Sequence, residues 1–370
     1  MQKHIRIITG FLAVVLVVSL GACSSSRENT ASIAEERIDS LTYAVFPYLP
    51  DAEYYQELIE RRWAEVEPDI HLVRAEWDCY SDGAPEGIDV LMYDAVMLEQ
   101  ITAAGWIQPI EHDAVQDSED LFPFALKGLT VEDKLYGIPV LLCGNFLIYD
   151  KNCETLATAE HITDLAEQSE ILVVNSKDPV NRPQYIIEVV ADSTGEKNPS
   201  VGSDAEDVMT LIDRLAIDAH EHDDDVQVVT AYDSGIGQGY IGFCESMRLL
   251  KRRKEATRIK TISFSDQENT PRLYVDAVAI TSGVGDLRYE KCLKLINIMA
   301  EADVMKELSV QDGEPQYLLL ARKTPYLFLS GQFPLYTPLE KMAVANEFKM
   351  MYCLSYHTKT KYHRNHILPP

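Results

Sequence analysis

Positive charge is what this chain has little of. Lysine and arginine number 33 against 59 aspartates and glutamates, leaving a formal charge of −26. Such a surface repels the phosphates of nucleic acid and favours small cations, so no nucleic-acid partner is expected. The basic run Lys251-Arg252-Arg253-Lys254 falls where a helix should end and reads as a solvated helix terminus. No spacing of cysteines resembles a CxxC pair or a zinc site, and no internal repeat is present. His220, His222 and Asp223 to Asp225 follow a helical stretch and read as a polar loop, so no metal site is expected there. The apolar run Ile7 to Leu20 is too short to span a bilayer comfortably, since a spanning helix needs about 20 apolar residues.

That run is informative in another way. Lys3, His4 and Arg6 precede it, and Leu20-Gly21-Ala22-Cys23 followed by three serines closes it. Charge, apolar run and small residues before a cysteine resemble the leader and lipobox of bacterial lipoproteins, in which the cysteine becomes the lipidated first residue. Residues 1–23 are therefore read as a signal peptide, Cys23 as the lipidation site and polar residues 24–40 as a tether. The expected location is the extracytoplasmic face of a bacterial membrane, held through Cys23. The other six cysteines are Cys79, Cys143, Cys153, Cys244, Cys292 and Cys353. An exported protein can form disulfides, but the spacing does not decide pairing.

Roughly 330 residues remain, which suits two lobes better than one core. With 46% apolar and 9% aromatic residues the chain is globular. Strand signals at Leu41–Pro47, Ile70–Ala75 and Ile88–Tyr93 alternate with helical patterns. One helix starts at Asp51, with Tyr55, Leu58, Ile59 and Trp63 at helical spacing, and another covers Val96–Ala104. This βαβ series predicts a parallel sheet with helices on its faces. Val140–Tyr149 reads as one strand crossing between lobes, and Leu273–Thr281 as a long strand crossing back. Between them helices are expected near 162–168, 183–193 and 204–219, strands at Ile171–Val174 and Arg258–Phe264, and a helix from Glu245 to Arg253. Arg288–Leu308 reads as one amphipathic helix. The expected fold is α/β: a two-lobed, periplasmic binding protein type II-like fold with a cleft between lobes. Residues 41–142 and 273–320 would form the first lobe, 143–272 the second, and 321–370 a C-terminal helical segment packed on the second.

Ligands of open α/β sheets bind at the carboxyl ends of strands. Those ends deliver Phe46, Tyr48 and Asp51; Trp77, Asp78 and Tyr80; Asp94; and Phe243-Cys244-Glu245, while the two crossing strands carry Cys143-Gly144-Asn145 and Tyr274 with Asp276. Aromatics and carboxylates around one cysteine suit a flat cation, through charge and cation–π attraction. Taken singly each has a plainer explanation. Cys143 would be a small buried apolar residue, Glu245 a partner of a helix dipole, and Asp78 and Asp94 turn caps.

Taken in order, the segments AVFPYLPD, EWDCYSDGAPEGIDVLMYD, LFPFALKG, YGIPVLLCGNFLIYDK, YIGFCESM, LYVDAVAITS and PQYLLLAR resemble the thiamine pyridinylase (thiaminase I) family, from about residue 41 to about 322. The last 45 or so residues match poorly. The resemblance implies a thiamine-degrading transferase with Cys143 as nucleophile and Glu245 as its base. It also implies cleft aromatics at Tyr48, Tyr80 and Tyr274, with Asp94 and Asp276 holding the aminopyrimidine. The family usually has tyrosine where this chain has Phe46 and Phe243, and Cys244 beside the base is unusual. The partners implied are thiamine and a small amine or thiol nucleophile; no cofactor is required and a monomer is expected. Two other functions fit the same features. One is a lipid-anchored binding protein that passes thiamine or a related cation to an ABC importer, for which the Cys143–Glu245 pair would be superfluous. The other is a thiaminase that has lost turnover, for which Phe46 and Phe243 speak.

Overall fold

The computed structural model describes residues 38–174, 188–189, 203–217, 225–264, 272–344 and 349–350. The leader with Cys23, most of the helix expected near 183–193, His220, His222 and Cys353 lie outside the described residues.

The three opening β-rich runs become β1 (Ser40–Ala44), β2 (His71–Ala75) and β3 (Val90–Asp94). They pair in parallel with β1 in the middle, and the helix between β1 and β2 makes the crossover that a parallel pair needs. The helix Ala52–Val66 starts at Asp51, whose carboxylate accepts the Tyr54 amide at 3.3 Å, and its Tyr55, Leu58, Ile59 and Trp63 are all buried. After the short β4 (Ile107–Gln108) and the hairpin of β5 (Thr130–Val131) and β6 (Lys134–Leu135) come β7 (Ile138–Cys143) and β8 (Phe146–Asp150). Then follow β9 (Leu172–Val173), β10 (Gly239–Gly242), β11 (Thr257–Lys260) and the long β12 (Arg272–Thr281). A hairpin of β13 (Val310–Gln311) and β14 (Glu314–Pro315), then β15 (Leu319–Leu320) and β16 (Lys349–Met350), complete the set.

The strands form two main sheets. The first has the order β15-β7-β12-β3-β1-β2, with β4 and β16 also pairing β12; the second is β11-β8-β10-β9. The first is mixed rather than parallel, because β12 runs antiparallel to both β3 and β7. The chain leaves this sheet at the end of β7 and returns from the second sheet along β12, so the two must run in opposite directions. The crossing expected as one strand over Val140–Tyr149 is two strands, interrupted at Gly144-Asn145, one in each sheet.

The core follows the pleat. On β8, Phe146 and Ile148 join the larger apolar core, while Leu147 between them joins a second cluster with Leu156, Leu172, Ile212 and Ile241. Close backbone approach fixes Gly137, with φ of 154°, since a Cβ there would lie 2.6 Å from the Val278 carbonyl oxygen.

Several helices are shorter or tighter than expected. Arg288–Leu308 is broken into Asp286–Met299 and Ala302–Leu308. Glu301 is extended at the break, and the Arg322 guanidinium, itself 2% exposed, donates to the Ala300 carbonyl at 2.5 Å. The freed helix end thus has a fixed partner, which an amphipathic pattern cannot reveal. Val96–Ala104 begins as a 3₁₀ turn at Ala95–Met97 before Leu98–Ala103, 162–168 is a 3₁₀ turn at Ile162–Leu165, and the Glu245 segment is a 3₁₀ stretch, Cys244–Leu249. In the basic run, Lys251 and Arg252 are exposed as expected. Arg253 is not simply solvated: it pairs with Asp150 at 2.7 Å and lies 4.3 Å from the Tyr232 ring centroid. Helices Thr324–Gln332 and Tyr336–Val344 pack on each other, and the latter also on β11.

Candidate active site

The ladder of the first sheet assembles the centre. Tyr274 is the register partner of Cys143 on β7, and Asp276 is the register partner of Asp94 on β3. The pairing with β7 shifts between Asp276 and Ala277, opposite Leu141 and Pro139. Proline has no N–H to give a ladder, and an irregularity of this kind re-aims the side chains around it. Three adjacent strands thereby place a cysteine, a tyrosine and two carboxylates together. Asp94 and Asp276 are 5% and 7% exposed.

The loops after β1 and β2 bring the aromatic rings. Phe46, Tyr48 and Tyr80 form a cluster with centroids 5.4, 6.0 and 6.2 Å apart. The Tyr80 hydroxyl donates to Asp94 Oδ2, and Asp94 Oδ1 accepts the Val96 amide at 2.8 Å. Asp94 is thus both the turn cap of the plainer reading and a member of the cluster. Asp78 accepts the Tyr80 amide at 2.9 Å, the Ser81 hydroxyl at 3.0 Å and the Tyr48 hydroxyl at 3.2 Å. It builds the turn that presents the rings. Trp77 is not part of this cluster: it is buried, stands edge-on to Trp106 at 6.4 Å and donates from Nε1 to the Gly83 carbonyl at 3.0 Å.

The second sheet contributes the turn after β10. Phe243 and Glu245 are half-buried, and both the Ser246 hydroxyl and the Ser246 amide donate to the Phe243 carbonyl, at 2.6 and 3.1 Å. Cys244 is fully buried, and its thiol donates to Glu245 Oε2 at 3.7 Å. This gives the unusual Cys244 a partner: it is a weak donor on the candidate base.

The electrostatics follow from burial. Desolvation, then the charges of Asp276, Glu245 and Asp94, push the Cys143 thiol well above its ordinary range. Desolvation, then Asp94 and Glu245, hold the Asp276 carboxyl well above the usual carboxylate range. Burial, then the Asp94 charge, raise the Tyr80 hydroxyl in the same way. Both shifts favour the neutral forms of the Cys143 thiol and the Asp276 carboxyl relative to the same groups in water. A cation placed among these groups would offset the carboxylate charges that add to the effect of burial. Cys143, Cys153, Cys244 and Cys292 carry free thiols. Among the described residues no group of three or more His, Cys, Asp and Glu could hold a metal ion.

One residue of the centre was missed in the sequence. Glu188, 4% exposed, accepts from the Asn145 side-chain Nδ2 at 2.7 Å and from the Tyr274 hydroxyl at 3.1 Å. The signal was there: a single carboxylate inside the apolar run Tyr185-Ile186-Ile187-Glu188-Val189-Val190. A buried charge must find donors, but the sequence does not say which.

No family model matches the chain. A thiaminase-1 from Paenibacillus thiaminolyticus is 29% identical over 360 residues, spanning 90% of this chain and 86% of that protein. The solved structure of Clostridium botulinum thiaminase I in complex with thiamin is 27% identical with a TM-score of 0.81, over 88% of this chain and 98% of that one. A maltodextrin-binding protein from L. casei, 15% identical with a TM-score of 0.64 over 88% and 91% of the two chains, shares the fold alone. In sequence and in fold the chain is thus similar to thiaminase I proteins, and its fold is also that of two-lobed periplasmic binding proteins.

Proposed function

We propose that this chain is a thiamine pyridinylase, a base-exchange transferase that degrades thiamine, with Cys143 as its nucleophile and Glu245 as the base. The observation that carries the reading is the meeting of Cys143 with Tyr274, Asp276, Asp94 and Glu245, whose charges reach the thiol. A binding protein for a cation needs the carboxylates but has no use for a raised thiol beside a carboxylate base.

The raised thiol dictates the order of events. Very little thiolate stands ready, so Glu245 takes the proton as Cys143 attacks. The sulfur bonds to ring carbon C6 of the pyrimidine, and the electron pair it displaces moves into the ring. Asp94 and Asp276, at the exocyclic amino group and the ring, favour this acceptance of density. The bond from the methylene carbon to the thiazolium nitrogen then breaks, and the thiazole leaves neutral with that electron pair. An amine or thiol adds to the methylene carbon and loses its proton. The pyrimidine regains its aromaticity by expelling Cys143, which recovers its proton from Glu245. The sum is thiamine plus H–nucleophile giving pyrimidinylmethyl–nucleophile, thiazole and one proton. Phe46, Tyr48, Tyr80 and Phe243 would frame the flat cation, with Trp77 enclosing the loop and Tyr274 next to the nucleophile.

The anchor belongs to the same proposal. Cys23 with its leader supports a lipoprotein on the extracytoplasmic face of a bacterial membrane, and among the described residues no helix is long and apolar enough to cross a membrane. The lobe boundaries expected near residues 142 and 273, and a monomeric state, are proposed with it. Palmitate labelling that survives in Cys23→Ala would refute the anchor.

The test of function is intact-protein mass spectrometry and product analysis on the full-length chain in detergent, with thiamine and aniline, beside Cys143→Ser. Thiazole release that Cys143→Ser abolishes, with a trapped pyrimidine adduct on Cys143, supports the reading. Thiamine that binds both proteins and survives in both overturns it in favour of a binding lipoprotein.

A further inference from the structure

Glu188 bonds to both sides of Cys143. Its neighbour Val189 packs in the apolar cluster of the second sheet. Its Oε1, however, takes the hydroxyl of Tyr274, which stands on the first sheet as the ladder partner of Cys143. The same oxygen takes the amide of Asn145, two residues after Cys143 in the break between β7 and β8. One acceptor oxygen therefore ties the residue beside the nucleophile and the residue just beyond it to a helical residue whose neighbour packs in the second cluster.

A carboxylate suits this place better than an amide or a hydroxyl. Ionised, it can only accept, so Tyr274 must donate and the Asn145 amide has its orientation set. Hydrogen bonds to a charged acceptor are the stronger kind, and burial leaves little water to compete. The Gly144-Asn145 break is also where the chain passes between the two sheets, so it is a natural pivot for closure of a two-lobed protein.

We propose that Glu188 is a positioning residue, a latch that on closure fixes the Cys143 thiol against Glu245 through Tyr274 and Asn145. The latch rests on the chemistry proposed above for Cys143. It acts on the reacting geometry rather than on the charge of the substrate, so its loss should appear in kcat and not in KM.

The test is steady-state thiamine turnover by the full-length chain carrying Glu188→Ala, Glu188→Gln, Tyr274→Phe and the Ala/Phe double substitution. Losing two hydrogen bonds to a charged group should lower kcat of Glu188→Ala about 30-fold, with KM within about threefold. Glu188→Gln keeps an acceptor oxygen and should recover to within about fivefold of wild type. Tyr274→Phe should lower kcat about tenfold alone but about twofold or less in the Glu188→Ala background, because the shared bond is already gone. Wild-type kcat in Glu188→Ala, or fully additive losses, would overturn the latch. So would a Glu188→Gln variant as poor as Glu188→Ala with a raised KM, which would make Glu188 a direct partner of the cation. If Glu188→Ala does not fold, Tyr274→Phe, Asn145→Ala and their double decide by the same non-additivity. If the wild-type chain binds thiamine without consuming it, the functional reading fails on its own. The latch is then read from the rate of Cys143 alkylation by iodoacetamide, altered in Glu188→Ala and restored in Glu188→Gln; an unchanged rate in Glu188→Ala would sink it.

Discussion

The two sides of the centre are built by different means. Cys143, Tyr274, Asp276 and Asp94 stand on three neighbouring strands whose ladder fixes each residue opposite a named partner. Glu245 and Phe243 stand on a 3₁₀ turn after β10, held locally by the bonds of Ser246 to the Phe243 carbonyl. A central ladder resists local displacement, whereas a single turn is among the elements that open at low cost. In the proposed reaction Cys143 and the carboxylates are thus preorganised, whereas Glu245, the proposed base, stands on the element that opens more readily.

The sharpest way to break that comparison is to remove the charge on the movable side. Glu245→Gln should lower kcat by on the order of 10²–10⁴, the usual worth of a positioned base. The same change removes one of the charges that raise the Cys143 thiol, so alkylation of Cys143 by iodoacetamide at about pH 9 should be faster than in wild type. Turnover and alkylation moving in opposite directions would be hard to explain by damage to the fold. If alkylation also slows, Glu245 is not acting on the thiol through its charge.

On the rigid side the corresponding change is Asp276→Asn. Its carboxyl is held above the usual range by burial and by Asp94 and Glu245. Between the ordinary aspartate value and the raised one, the folded protein holds a proton that the unfolded chain has lost, so stability falls as pH rises through that window. Asparagine removes this slope. Turnover should drop on the order of 10²-fold, while Tm near neutral pH should rise on the order of 2–4 °C. Thermal scans from acid to neutral pH check it: a parallel offset from wild type, rather than a gap that widens with pH, would mean that the Asp276 proton is not the cause.

What could be read from the sequence divides along the same line. Strand positions, the Asp51 cap and the buried stripe Tyr55, Leu58, Ile59 and Trp63 follow from local patterns, and the structure places them as expected. That Asp94 stands at a strand end, and that Cys143 and Asp276 lie on the two crossing segments, was also legible. Which of them face one another depends on register, and register here includes a shift at Pro139 that no periodicity announces. The reversal of β12, the break at Gly144-Asn145 and the interruption at Glu301 depend on partners distant in sequence. Trp77 reads as a cleft aromatic because it lies in a strand-end segment with Asp78 and Tyr80, yet Trp106, 29 residues on, encloses it. Glu188 was missed for the converse reason: its donors, Asn145 and Tyr274, are 43 and 86 residues away.

The aromatic loops lie between these extremes, and their hydroxyls can be ranked. Tyr80 donates to a buried carboxylate, whereas Tyr48 is 66% exposed and donates to Asp78 in the turn. Tyr80→Phe should raise KM for thiamine about tenfold, since a hydrogen bond to a charged, buried group is the stronger kind. Tyr48→Phe should change it about twofold or less, as an exposed bond competes with water. Equal effects would mean that both hydroxyls contact the substrate directly and that the Asp94 bond is incidental.

The smallest expected effect concerns Phe46 and Phe243, the two rings at which the resemblance to thiaminase I implies a tyrosine. Phe46 is 7% exposed, with its centroid 5.4 Å from that of Tyr48 and 6.0 Å from that of Tyr80. A hydroxyl added to so enclosed a ring must find a partner or lose its hydration without return. Phe243 is half-buried on the movable turn, where an added hydroxyl can reach water more readily. Phe46→Tyr and Phe243→Tyr should therefore each change kcat/KM by about threefold or less, with any cost larger at Phe46. If either raised kcat/KM more than about tenfold, that hydroxyl would be a working part this chain has given up. Turnover by the natural chain would then be residual, and the rigid wall of Cys143 and its carboxylates would be serving chiefly to hold thiamine.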